Sequence, residues 1–177
     1  YKLEEVGGIY YPFNPDSLLL SHQRERKLLE LLKKYGFNDL ENKKILDIGC
    51  GYGGMLRRFL DYGVLPEDLY GIDILADRIE RGKRISPHLN LSPGNASELP
   101  FGAAFFDIVM QFTVFTSILD SQMKKEIAGE MLRVVKPEGI IIWYDYYISK
   151  PTNPDVKGVG KREIKRLFPR CNFDFNR

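Results

Sequence analysis

Residues 43–54 read Lys43-Lys44-Ile45-Leu46-Asp47-Ile48-Gly49-Cys50-Gly51-Tyr52-Gly53-Gly54, and their order decides the fold. A short apolar run bounded by charge and then by glycine predicts a strand buried on both faces. The glycines that follow predict a tight turn, and residues 55–62 predict a helix closed by Gly63. Strand, glycine turn and helix make the first half of a βαβ unit.

The same alternation continues outward. Residues 69–73 predict a second strand, and residues 76–85 its helix, stopped by Ser86-Pro87. Residues 88–91 predict a weak third strand and residues 106–111 a fourth. Residues 122–135 predict a helix ended by Lys136-Pro137-Glu138-Gly139, and residues 140–144 a fifth strand. Upstream, residues 1–16 form an irregular arm, then Asp16 or Ser17 caps a helix running to about Tyr35. Downstream, a loop over 149–160 leads to a short basic helix over 161–168, and Phe173-Asp174-Phe175 begins a last strand. Strands alternating with helices predict an α/β fold: a doubly wound, mostly parallel, Rossmann-like sheet with helices on both faces. A length of 177 residues suits one domain. Residues 1–37 supply an arm and helix covering the site, and residues 38–177 the α/β core.

Gly49, Gly51 and Gly54 satisfy the G-x-G-x-x-G pattern, which by itself serves dinucleotides as well as S-adenosylmethionine (SAM). Asp73, ending the second strand, can accept hydrogen bonds from two ribose hydroxyls of either cofactor, or merely cap the next helix. Asp47 separates the two cofactors. A dinucleotide lays its pyrophosphate over such a turn. A carboxylate beside it would add repulsion of about 4 kcal/mol at an effective dielectric near 20. SAM carries no phosphate, and its ammonium and sulfonium are cationic, so an acid there is favourable. The plainer alternative is that Asp47 ties down the loop. Cys50 lends its backbone N–H rather than acting as a nucleophile, because no histidine adjoins it.

Residues 45–53 resemble motif I of the class I SAM-dependent methyltransferases, and Tyr70-Gly71-Ile72-Asp73 resembles their second motif. Gly94-Asn95-Ala96-Ser97-Glu98-Leu99-Pro100-Phe101 resembles the third, with Asn95 where the family usually has Asp. Phe105-Phe106-Asp107-Ile108-Val109 and Gln111-Phe112-Thr113 resemble the fourth strand and its exit. Residues 130–139 resemble the segment before strand five. This resemblance implies a cofactor set of Asp47, Gly49, Cys50, Gly51, Asp73, Ile74, Asn95, Ala96 and Gln111, with S-adenosylhomocysteine as product. It also implies that Tyr10, Tyr11, His22 and Tyr147 face the acceptor. Asp145 and then Tyr146 are the candidates for a general base, needed only where the acceptor is a hydroxyl or an acidic carbon. The family's sheet usually closes with an antiparallel seventh strand. This chain stops before it and starts at Tyr1 rather than Met, so both natural termini are expected to lie beyond it.

The stretch from Trp143 to Pro169 is similar to bacterial small-molecule methyltransferases, so the acceptor is expected to be a small molecule. A net charge of +2 gives no field for nucleic acid. Gln111-Phe112-Thr113-Val114 replaces the (Asp/Asn)-Pro-Pro-(Tyr/Phe) motif of base-amino methyltransferases, so a nucleic-acid substrate is disfavoured. No run of about 18 apolar residues predicts a membrane span. Two isolated cysteines, Cys50 and Cys171, fit a reducing, cytoplasmic setting and offer no metal spacing. The cations of residues 157–170 (Lys157, Lys161, Arg162, Lys165, Arg166, Arg170) fit a solvated amphipathic helix better than a grip on an anionic substrate. A catalytically silent SAM-binding module and an NAD-dependent oxidoreductase are the competing functions. Oligomeric state is not legible.

Overall fold

The computed structural model describes residues 14–149 and 153–176. Tyr10 and Tyr11 lie outside the described residues. In chain order the elements are α1 (Pro15–Lys34), β1 (Ile45–Ile48), α2 (Gly54–Asp61), β2 (Leu69–Asp73), α3 (Ala76–Ile85), β3 (Asn90–Pro93), β4 (Phe106–Phe112), α4 (Ser121–Val134), β5 (Val135–Tyr144) and α5 (Lys161–Leu167).

Every strand pair is parallel, in the order β3-β2-β1-β4-β5. The chain winds outward from β1 in both directions. Right-handed crossovers therefore put α2 and α3 on one face and α4 on the other, the expected doubly wound α/β sheet. Covering both faces explains the continuous apolar runs: all four residues of β1 are buried, as are Phe106, Ile108, Val109 and Met110 of β4.

The described residues fall into two compact units. The first holds α1 and the tail from Phe173. Asn14, rather than Asp16 or Ser17, caps α1: its side chain accepts from the Asp16 N–H at 2.9 Å, and Pro15 occupies the first turn. Residues 173–175 are not a strand. Asp174 is taken by Lys34 at 2.6 Å and by the Tyr35 hydroxyl at 3.3 Å, while the Phe173 and Phe175 rings stack on each other.

The second unit, Leu40–Asn172, holds the sheet. Within it β3 lies two residues later than expected, because Leu89 is still in a turn bonded to the Ser86 carbonyl. Residues 136–139 do not end the helix as a free turn but belong to β5. Pairing jumps from Phe106↔Val135 to Ile108↔Ile140, so β5 carries a bulge there. Lys136 fixes it by reaching Asp107 at 2.8 Å, and Gly139 leaves no room for a side chain, since a Cβ would lie 2.7 Å from the Asp107 carbonyl oxygen. On α4, Glu130 and Arg133 form one grip on the loop before β4. Glu130 accepts from the Leu99 N–H at 2.7 Å, and Arg133 donates to the Leu99 and Phe101 carbonyls.

Candidate functional site

Because all strands are parallel, their carboxyl ends share one edge. The order reverses between β1 and β4, which opens a crevice there in folds of this kind. The glycine turn leaves β1 at that point. Gly49, Gly51 and Gly53 all have left-handed backbones, with φ of +68°, +55° and +75°. Those values cost glycine nothing and any β-carbon something. Gly53 also caps α2.

Successive amides of the turn point at the end of β2. Gly49 and Cys50 donate to the Ile72 carbonyl at 2.8 and 3.1 Å, and Gly51 donates to a carboxylate oxygen of Asp73 at 2.8 Å. The other Asp73 oxygen accepts from the Leu75 N–H at 2.9 Å, at the start of α3. Asp73 is therefore not the cap of α3, which Leu75 begins without a side-chain cap bond; it holds the Leu75 N–H ahead of the helix and also pins the glycine turn. Each oxygen retains one acceptor site, because a carboxylate offers about four. Asp47 is buried in β1, level with Gly71 and Met110.

Cys50 differs from expectation in one respect. Its backbone N–H is spent on Ile72 and is not offered to a ligand. Its side chain fills the space above Gly71, where a Cβ would lie 2.7 Å from the sulfur. Burial first, then the charges of Asp47 and Asp73, push the thiol far above its ordinary range, so it is no nucleophile.

Beyond β2, Ile74 is 72% exposed. Gly94 ties β3 to the end of β2 through its N–H to the Asp73 carbonyl, and Asn95 follows on the surface. The Asn95 side-chain oxygen accepts from the Ser97 N–H at 3.1 Å, leaving one acceptor site and the amide donors; half-buried Ala96 lies between.

Two expected site residues have other work. Gln111 is fully buried, and its side chain is engaged by protein groups. Its amide donates to Asp145 at 2.6 Å and accepts from the Val114 N–H at 2.8 Å. Asp145 is not available as a base. One oxygen accepts from Gln111 and from the Trp143 indole N–H, each at 2.6 Å; the other accepts from the Thr116 N–H and hydroxyl at 2.9 and 2.8 Å. Those four bonds fill the carboxylate. Burial nonetheless outweighs them and raises its pKa. Sequence alone missed this cluster because its donors come from three separate segments.

Tyr146 and Tyr147 are exposed beyond β5, with the Tyr146 carbonyl bonded to the Val159 N–H at 2.8 Å. His22 lies on α1 in the first unit, where it is exposed and lines a surface recess with Glu25, Arg26 and Leu29. Among the described residues no cluster of His, Cys, Asp and Glu could hold a metal ion. No helix among them is long and apolar enough to cross a membrane. Four of the six cations of the basic stretch lie on α5, whose Ile164 and Leu167 are buried while Lys161, Arg162, Lys165 and Arg166 face solvent.

Comparison with known proteins bears on this geometry. Residues 46–143 match the family model described as a methyltransferase domain. The chain is 28% identical over 127 residues to a demethylmenaquinone methyltransferase of Renibacterium salmoninarum, covering 72% of this chain and 50% of that protein. It is 33% identical over 106 residues to a 2-methyl-6-phytyl-1,4-hydroquinone methyltransferase of Synechocystis, covering 58% of this chain and 31% of that protein. The chain thus spans about half the length, or less, of these curated relatives. Among solved structures, the PH0226 protein of Pyrococcus horikoshii superposes with a TM-score of 0.71 at 22% identity, over 94% of this chain and 88% of that one.

Proposed function

The chain belongs to the methyltransferase-domain family, of the class I SAM-dependent type, and on that premise we propose that it moves a methyl group from SAM to an O, N or C atom of a small molecule. Bound SAM supplies an already activated methyl on a cationic sulfur, so the hard step is the cofactor's. The residues of this chain bind, orient and exclude water. The Gly49–Gly54 turn would hold the cofactor's amino-acid end beside buried Asp47. Asp73 would take the ribose hydroxyls on its remaining acceptor sites. Exposed Ile74 would lie against the adenine, with Asn95 and Ala96 at its edge. Aligning acceptor, methyl and sulfur is worth about 7–11 kcal/mol, and positioning of that kind needs no nucleophile from the protein.

One observation carries this assignment. The amide nest of the glycine turn, which a dinucleotide fold would offer to phosphate, already holds an oxygen of Asp73. With Asp47 buried next to it, the turn is acidic and suits a cationic ligand. The pyrophosphate of a nicotinamide dinucleotide would meet two carboxylates there, one of them already on the Gly51 N–H. What supports an apolar, ring-bearing acceptor is the exposed run Tyr146, Tyr147 and Ile148 just past β5, together with the quinone-type acceptors in the names of the two relatives. Tyr146 replaces Asp145 as the candidate base. The product would be S-adenosylhomocysteine, and a cytoplasmic setting is part of the proposal. A screen of ring-bearing acceptors with methyl-labelled SAM tests the function. Transfer of label to one of them supports it, and turnover of an NAD-linked substrate instead would refute it.

A further inference from the structure

We infer that Asp145 is a positioning residue that sets the shape of the β4 exit loop and, through Val114, holds the cofactor turn at Gly49. This rests on the SAM reading of that turn and goes beyond it by assigning its support.

The loop from Thr113 to Ser117 is not at rest. Thr113 has φ of +61°, a left-handed backbone that a β-branched residue avoids. Such a conformation persists only where its surroundings over-determine it. Thr113 itself is held by its hydroxyl on the Phe112 carbonyl and by the Ser117 hydroxyl on its own carbonyl, and the bonds that fix the residues after it converge on one carboxylate. Asp145 receives the Thr116 N–H and hydroxyl directly, and through Gln111 it fixes the Val114 N–H. The Thr113 N–H adds a bond to the Tyr144 carbonyl at 2.7 Å, and the Thr116 carbonyl accepts from the Lys157 N–H at 2.8 Å. The consequence falls on Val114. One of its methyls sits where a side chain on Gly49 would begin, with the hypothetical Cβ 2.4 Å from Cγ2. Gly49 is the first residue of the cofactor turn. A four-bond hub just past β5 is thereby connected, through Gln111 and Val114, with the turn that leaves β1. The four donors on Asp145 are all protein groups, so its influence is assigned to geometry.

Trp143 makes the connection observable, because it is the chain's single tryptophan and its indole N–H ends on Asp145. In the 15N-labelled wild-type chain, titration with S-adenosylhomocysteine is expected to move the Trp143 indole resonance. In D145N an amide NH2 would face the donors of Gln111 and Trp143, and affinity for S-adenosylhomocysteine is expected to fall about tenfold or more. In D145N/Q111E a carboxylate at 111 again pairs with the amide at 145 while the Trp143 N–H still faces that amide, and part of the affinity should return. A variant that misfolds leaves the wild-type titration decisive. An indole resonance that stays fixed while S-adenosylhomocysteine binds, or full affinity in D145N, overturns the positioning role. Absence of any binding to the wild type would instead overturn the SAM reading on which it stands.

Discussion

Val114 closes over Gly49 so tightly that a Cβ on the glycine would lie 2.4 Å from Val114 Cγ2. Gly51, two residues on, has open space at the same position, with nothing within 4 Å. Both glycines have positive φ, so alanine is strained at either by about 1 kcal/mol. Only at Gly49 does overpacking add to that, typically 1–3 kcal/mol. Gly49→Ala should therefore lower stability several-fold more than Gly51→Ala in urea denaturation. Gly51→Ala should fold well yet weaken cofactor binding, since its new methyl would occupy open space at the turn proposed to hold the cofactor. Adding Val114→Ala to Gly49→Ala should restore much of the lost stability.

Lys124 of α4 is almost fully buried and is held by Glu163 of α5 at 2.8 Å, whose side chain keeps about a third of its exposure. Removing Glu163 strands an ammonium in the interior. Glu163→Ala should cost about 2–4 kcal/mol, below the range for a fully buried pair because Glu163 is partly solvated. Replacing both partners, as Lys124→Met with Glu163→Leu, should recover most of it. Chemical denaturation of the three variants checks the pair.

Glu130 is expected to contribute a pH-dependent share of stability. Its hydrogen bond from Arg133 holds the carboxyl below its ordinary 4.5, against a smaller opposing effect of burial. A carboxyl with a lowered folded pKa adds stability above the unfolded value and loses it as pH falls through the folded one. Glu130→Gln should thus be less stable than wild type by about 1–3 kcal/mol at neutral pH. The gap should narrow once pH drops below about 4.5, as denaturant midpoints at a series of pH values would show.

Cys50 should behave as an inert wall residue. Its thiol is buried and pushed upward in pKa by that burial, with Asp47 and Asp73 adding to it. In the folded chain a thiol reagent should label at most half-buried Cys171 at mildly alkaline pH, with Cys50 reacting only on unfolding. Cys50→Ala should keep cofactor binding within a few-fold; stoichiometric native labelling of both thiols would contradict this.

What the sequence made legible was local. Residues 69–73 and 76–85 form a strand and a helix with the expected bounds, because Asp73 and Pro87 mark their ends in the chain itself. The glycine turn was equally plain. Features set by distant partners were not. Glu130 and Arg133 hold a loop about thirty residues away, and nothing in their helix betrays it. Gly139 reads as a turn residue, yet it lies in a strand bulge because the Asp107 carbonyl approaches it. Residues 173–175 alternate like a strand, but Lys34 claims Asp174. Asp145 reads as an exposed acid at a strand end, a fair candidate base, until its four donors are seen together.

The most direct measurement is calorimetric titration of the wild-type chain and of Asp73→Ala with S-adenosylhomocysteine and with NAD. The wild type should bind the first and not the second. Saturation near a hundred times Kd should raise the melting temperature by roughly 5–10 °C. Asp73→Ala should lose tenfold or more in affinity, since hydrogen bonds to a charged group are worth about 1.5–3 kcal/mol. Tight binding of NAD, or unchanged affinity for S-adenosylhomocysteine without the Asp73 carboxylate, would contradict an acidic turn built for a cationic sulfur cofactor.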